Sequence, residues 1–188
     1  MSRQKKYNKE VVTDKAMQLL WSNGYYNTSA RMLEREMGIN LFSIYSTFQN
    51  KDGVYLASVQ CYKNLIRRKL LIPLSNKPKN IATLKDFFYD FLTFTKEDES
   101  YRGCLLINSV NELGTDMTEN IAAEITSFSE EIESLISSIL KENKPISQTN
   151  LIKTTNYVFV ALQGIVLTSK TINQIQIDDY IELTFSRL

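Results

Sequence analysis

The chain has 188 residues, 43% of them hydrophobic and 11% aromatic, with a formal net charge of +1. That is enough apolar material for a real core in one or two packed units. The absence of histidine excludes Ser-His-Asp and Cys-His catalysis, histidine-bound metals and histidine pH switching.

Other classes fall away on local grounds. The two cysteines, Cys61 and Cys104, are too far apart in sequence to suggest a metal site. The six glycines are scattered singly, so no phosphate-cradling loop is present. With no acid–base constellation either, the reading predicts a protein that is not an enzyme and needs no cofactor or metal. No run of about 18 apolar residues occurs, and the polar, basic start lacks the core of a signal peptide. A cytoplasmic protein without a membrane partner is expected. The small net charge hides an asymmetry. Residues 1–70 hold twelve Lys and Arg against five Asp and Glu, and the remainder is acidic. A basic front third is either a solvated surface or a footprint for phosphates.

Residues 1–7, with Arg3, Lys5 and Lys6, read as a basic arm or as an unstructured tail. From Asn8 to Asn23 the spacing predicts a helix, with Val12, Ala16, Leu19 and Leu20 inside and Gly24 ending it. Trp21 and Tyr25 are expected to complete this small core.

Thr28 to Lys51 predicts a helix, a tight turn and a second helix. Thr28 or Ser29 caps the first helix, and Ala30, Leu33 and Met37 form its apolar stripe. Gly38 supplies a left-handed stop. Asn40 caps the second helix, whose Ile44, Tyr45 and Phe48 point inward, leaving Leu41, Phe42, Ser43, Ser46 and Thr47 outside. Two short helices on a Gly-containing turn make the helix-turn-helix shape, whose second helix fits the major groove. An ordinary helical hairpin shares this spacing; the basic surroundings favour the DNA-binding reading.

Asn50 then caps a long helix to about Ile72. Its two apolar faces mark it as a connector, and Lys51 can meet a phosphate at its N-terminus. Pro73 and Pro78 bracket a break. A helix from about Lys79 to Lys96 carries Phe87, Phe88, Phe91 and Phe94, rings that either pack a core or line a pocket for a flat apolar ligand. An acidic loop follows, then a short helix between Gly103 and Gly114. A long helix capped by Thr115 or Asp116 reaches Asn143, with Phe128 inside. Pro145 precedes a helix from Ser147 to Thr171, and the last helix runs from Ile177 to Leu188. The sum is an all-α chain of about nine helices. Residues 1–50 form a helix-turn-helix domain, 51–72 a connector, and 73–188 an effector-binding and dimerisation domain.

The ordered set Gly24-Tyr25, Thr28-Ser29, Gly38-Ile39, Ile44-Tyr45, Phe48 and Lys51 resembles the TetR family of bacterial transcriptional regulators. The resemblance implies a regulator, in the usual case a repressor, that binds a palindromic double-stranded DNA operator as a homodimer and is released by a small molecule. It implies phosphate contacts at Thr28, Tyr45 and Lys51, supported by Ser29 and Arg31. Asn40, Leu41, Phe42, Ser43 and Ser46 would face the groove. Three positions depart from the family pattern. Leu41-Phe42 replaces a frequent Lys-Gly, Ser46-Thr47 a frequent His-Tyr, and Glu34 a small residue. Gly103 to Glu124 resembles a branch that includes electrophile-responsive repressors. Cys104, beside Arg102 at a helix start, is then either a thiol sensor or a small buried hydrophobe. A small apolar or aromatic effector is expected among Cys61, Tyr62, Phe87, Phe91, Phe94, Cys104, Asn108, Phe128 and Tyr157. The dimer surface is expected on the Ser147–Thr171 helix, at Ala161, Gly164 and Ser169, and on the last helix.

Overall fold

Side chains that cap helix starts set most of the element boundaries in the computed structural model, which describes residues 7–96, 101–143, 145–186 and 188. Asn8 accepts from the amides of Glu10 and Val11 and opens α1, Lys9–Asn23. Ser29 opens α2, Ala30–Met37, and Asn40 opens α3, Leu41–Phe48. The Asn50 side chain accepts from Gly53 in the first turn of α4, Lys51–Ile66. A π-helical turn, Arg67–Leu71, follows, and then α5, Ile72–Ser75. Asn80 caps α6, Ile81–Thr95. Next come α7, Leu105–Leu113, a 3₁₀ turn at Gly114–Asp116, and α8, Glu119–Asn143. Ser147 caps α9, Gln148–Thr168, and Asn173 caps α10, Gln174–Phe185, in a reciprocal capping box with Gln176. With α4, the π turn and α5 taken as one continuous rod, the described residues make nine helices and no strand. The all-α expectation holds, and the basic arm at Arg3, Lys5 and Lys6 lies outside the described residues.

Several boundaries differ from the sequence reading, among them the end of the last helix, at Phe185 rather than Leu188. The connector helix does not stop at Ile72 but runs through Pro73 to Ser75. The π turn explains this. The Ile72 amide reaches back five residues to the Arg67 carbonyl, so Pro73 stands in the first turn of a new segment, where its missing N–H is not needed. Thr115 and Asp116 are spent in the 3₁₀ turn, so α8 begins only at Glu119. The penultimate helix ends at Thr168 rather than Thr171, and α10 begins at Gln174 rather than Ile177. Over an 18-residue window the mean hydropathy of α9 reaches 1.3, long and apolar enough by composition to cross a membrane. The sequence reading missed this because Asn, Thr and Gln interrupt the apolar run while the window average stays high. The inner face of α9 is packed, with Leu151, Val158, Leu162, Ile165 and Val166 buried.

Two compact units result, one from residues 1–65 with Asn108–Ile125, the other from Ile66–Ile107 with Thr126–Leu188. The first, here called the head, packs Ala16, Met17 and Leu20 of α1 against Leu33, Met37, Ile44 and Phe48, with Val54, Tyr55 and Val59 of α4 beneath. Trp21 meets Tyr62 edge-on at 4.8 Å between ring centroids. The second stretch is tied in by hydrogen bonds. Glu112 accepts from the amides of Tyr25 at 2.9 Å and Tyr26 at 2.8 Å. Tyr26 also donates its hydroxyl to Asp116 at 2.7 Å, and Tyr55 shares a 2.7 Å bond with Ser109. Gly24 permits the approach: its φ is +80°, and a Cβ there would stand 2.7 Å from the Glu112 carboxylate. The second unit, the body, brings α6, α9 and α10 together, with Leu84, Phe88, Leu92, Val158, Leu162 and Ile181 buried, and it also buries Phe128 and Ile136 of α8. Phe88 meets Phe185 edge-on at 4.9 Å, and Arg67 forks onto Glu131 at 2.6 Å.

Burial pushes the Tyr55 phenol up to about 12, with the Ser109 hydrogen bond opposing and Glu112 adding to the rise. Burial and the bond to Asp52 push Tyr25 up as well. Phenols held neutral in the fold stabilise it fully below the ordinary tyrosine value of 10.0, and that stabilisation disappears as pH climbs toward about 12. Tyr26, Tyr89 and Tyr180 are raised as well, but alkaline titration should show the two phenols of Tyr25 and Tyr55 ionising last, their tyrosinate absorbance rising together with loss of helical circular dichroism. Tyr55→Phe should remove one of the two.

Candidate nucleic-acid interface

α3 has eight residues, LFSIYSTF, and buries only Ile44 and Phe48. The rest of its surface is therefore available. Phe42 is 84% exposed, Ser46 is exposed, and Leu41, Ser43 and Tyr45 are partly exposed. Tyr45, read as inward from sequence, lies at the rim instead. The turn before α3 is built on Gly38 at φ +69°, in the left-handed region where a side chain would be strained.

Three contacts fix the posture of α3. The Asn40 side chain accepts from the Ser43 amide at 2.8 Å. Glu34, on α2, accepts from the Leu41 amide at 3.0 Å, which satisfies a second free donor of the first turn. This explains the acidic residue that departs from the family pattern. Tyr7 donates its hydroxyl to the Ser43 carbonyl at 3.2 Å and shares a further hydrogen bond with the Thr47 hydroxyl. Neither Tyr7 nor Glu34 was found by sequence reading. Tyr7 acts across 36 residues, and Glu34 lies outside the three-residue span of a local cap.

Around this helix lie the cationic and polar groups expected to meet phosphates. Ser29 and Arg31 are exposed near the start of α2. Thr28 is not available in the same way: it is fully buried, and its hydroxyl donates to the Gly24 carbonyl at 2.7 Å. Lys51 opens α4 with its ammonium 4.2 Å from the centroid of the Tyr25 ring. Partial burial lowers its pKa, against the opposing pull of Glu112 and Asp52. The Tyr25 hydroxyl in turn donates to Asp52. One loop residue thus holds the Lys51 ammonium over its ring and is itself anchored through its amide to Glu112.

The residues expected to line an effector site divide between the units. Cys61, Tyr62 and Asn108 belong to the head. Phe87, Phe91, Phe94, Cys104 and Phe128 belong to the body, each at most 4% exposed. There Phe91 meets Phe87 edge-on at 5.9 Å and Phe94 at 6.4 Å. Tyr157 does not join them: it is 41% exposed on the outer face of α9. A cleft of about 400 Å³ in the body, edged by Ile81, Leu140, Asn143, Ile146, Asn150 and Lys153, contains none of the expected residues. Among the described residues no group of His, Cys, Asp and Glu is arranged to hold a metal ion.

Residues 12–57 match the family model described as bacterial regulatory proteins, tetR family. The chain is 29% identical over 115 residues to the HTH-type transcriptional repressor ComR of Escherichia coli K12, covering 61% of this chain and 55% of that protein. It thus spans little more than half the length of that relative. Its fold is similar to that of a cysteine-substituted TetR family regulator, CifR, in complex with a 26 bp double-stranded operator DNA, with a TM-score of 0.81, 18% identity and 98% coverage of both chains. It is also similar to AibR in complex with isovaleryl coenzyme A and operator DNA, with a TM-score of 0.67, 14% identity and coverage of 94% and 95%.

Glu34→Ala should destabilise the head by about 1 kcal/mol, the worth of a lost helix cap, read as a lower midpoint in urea. Glu34→Gln, which keeps an acceptor oxygen, should recover most of that loss.

Proposed function

We propose that the chain is a TetR family transcriptional repressor that binds a palindromic DNA operator as a homodimer and leaves it when a small apolar or aromatic effector binds, a reading supported by the family match over residues 12–57 and by the similarity to ComR. The observation that carries the DNA reading is the exposed flank of α3. Leu41, Phe42, Ser43 and Ser46 face outward from a helix seated by Ile44 and Phe48. Ser29, Arg31, Asn40, Tyr45 and Lys51 are at least partly exposed around it, where they can meet phosphates and fix register. The protein whose fold this chain shares across 98% of its length, CifR, is bound to operator DNA in its structure.

The dimer reading is supported by an uncovered apolar face. On α9, Ile152, Tyr157, Val160 and Leu167 are exposed, and on α10 Ile175, Tyr180 and Leu183. Gly164 lies in the same exposed stripe, and a Cβ there would stand 4.0 Å from the Tyr180 hydroxyl. Ala161 and Ser169, expected beside it from sequence, are buried in their own unit instead. A second copy would cover this face and place two heads on successive major grooves, about 34–36 Å apart. The other side of α9 is committed to the body core, which favours a protein partner over a lipid one.

The effector reading rests on the ring cluster of the body, Phe87, Phe91, Phe94 and Phe128, and on the acyl-coenzyme A bound by AibR. Release requires only that the effector bind more tightly to the state that cannot span the operator. The alternative, switching through the Cys104 thiol, gains no support from a side chain only 4% exposed.

Affinity for duplex DNA should fall steeply as salt rises. Lys51→Ala should weaken binding about equally on all sequences and flatten the plot of log K against log salt by about 1 for each head. Undetectable binding at low salt would remove the DNA reading. Val160→Glu should preserve helicity yet weaken self-association by roughly two orders of magnitude, since each copy would bury an unpaired carboxylate. Sedimentation of a wild-type chain that stays monomeric where it binds DNA would overturn the dimer.

A further inference from the structure

We propose that α3 reads the operator through the 5-methyl group of thymine, with Phe42 as the side chain that contacts it; the inference rests on the DNA-binding reading above. Phe42 is 84% exposed, more than any other large apolar residue among those described, with Ile175 next at 72%. Nothing among the described residues accounts for a phenyl group held in water at the N-terminal end of this helix. The chemistry of its neighbours narrows what it can do there. Leu41–Phe48 contains no Arg, Lys, Asn or Gln and no carboxylate, the side chains that read guanine, adenine and cytosine edges by hydrogen bonds. The Ser46 hydroxyl donates to the Ser43 carbonyl at 3.0 Å, and the Thr47 hydroxyl lies between that carbonyl, at 2.9 Å, and the Tyr7 hydroxyl, so both are engaged within the chain. The Asn40 side-chain oxygen is taken by the Ser43 amide, which removes the acceptor half of a bidentate contact to adenine. Serine and threonine hydroxyls bond to base edges without strong preference, so the discriminating feature of this flank is the apolar pair Leu41 and Phe42. The one apolar feature that a base edge presents in the major groove is the thymine methyl group.

The test uses the full chain and begins with selection of bound duplexes from a random-sequence pool. Each thymine of the selected half-site is then replaced in turn by uracil, which removes the methyl group and keeps every hydrogen-bonding atom. Affinity is read by fluorescence anisotropy. At one thymine per half-site, uracil should weaken the wild-type protein about four-fold, the effect of one buried methyl group. Changing both half-sites should weaken it roughly fifteen-fold. Phe42→Ala should bind more weakly and treat thymine and uracil duplexes alike, while Phe42→Leu should retain part of the discrimination. Circular dichroism of both variants should match the wild type, because the side chain is exposed. The inference is overturned if uracil is tolerated at every position while the selected duplex still binds, or if Phe42→Ala keeps the thymine-to-uracil ratio. The second result would put the ring on the sugar–phosphate backbone. Failure to select any duplex would instead remove the DNA-binding reading itself, and this inference with it.

Discussion

A helix of eight residues cannot hold itself. Isolated helices shorter than about 12–15 residues are marginal in water, so the posture of α3 has to be imposed from outside. Ile44 and Phe48 anchor one side in the head core. Asn40 and Glu34 satisfy amides of its first turn, and Tyr7 bonds to the carbonyl of Ser43 in its middle. The anchors and caps use the backbone, Ile44, Phe48 and the Thr47 hydroxyl, and leave Leu41 and Phe42 without a structural duty. This division makes the same eight residues a fixed part whose outer flank stays exposed.

The support extends beyond the motif. The loop after α1 is held by a carboxylate 87 residues further along the chain, Glu112 on Tyr25. A single side chain there engages two consecutive amides that no helix could satisfy. The Tyr25 ring, so fixed, lies beneath Lys51. Position in the head thus passes from α7 through a loop to the first residue of α4 by contacts of atomic length, all within one compact unit.

Much of this was legible in the sequence because helix capping is local. Ser29, Asn40 and Asn50 each announce a helix that begins at the next residue, and each does so in the structure. What escaped was non-local or ambiguous in period. Thr28 and Ser29 are equivalent as cap formers, and only burial separates the core residue from the exposed one. α9 is apolar on two faces, so spacing alone could not tell that Val158 is buried and Tyr157 exposed. Pro73 read as a terminator because a π turn, which shifts the hydrogen-bond ladder by one residue, leaves no mark that a helical period can detect. Glu34 looked anomalous against the family pattern until its partner across the turn was visible.

The lack of charge on α3 separates two tasks that many DNA-binding surfaces combine. Cations that can meet phosphates sit elsewhere, Arg31 on α2 and Lys51 at the start of α4, and their attraction is blind to base sequence and weakened by ions. Contacts made by uncharged side chains displace no counterions. Rising ionic strength should therefore lower affinity for matched and mismatched duplexes in parallel, leaving the ratio between them nearly constant. If α3 reads the operator as proposed, the protein keeps its selectivity when osmotic conditions change and loses only its hold.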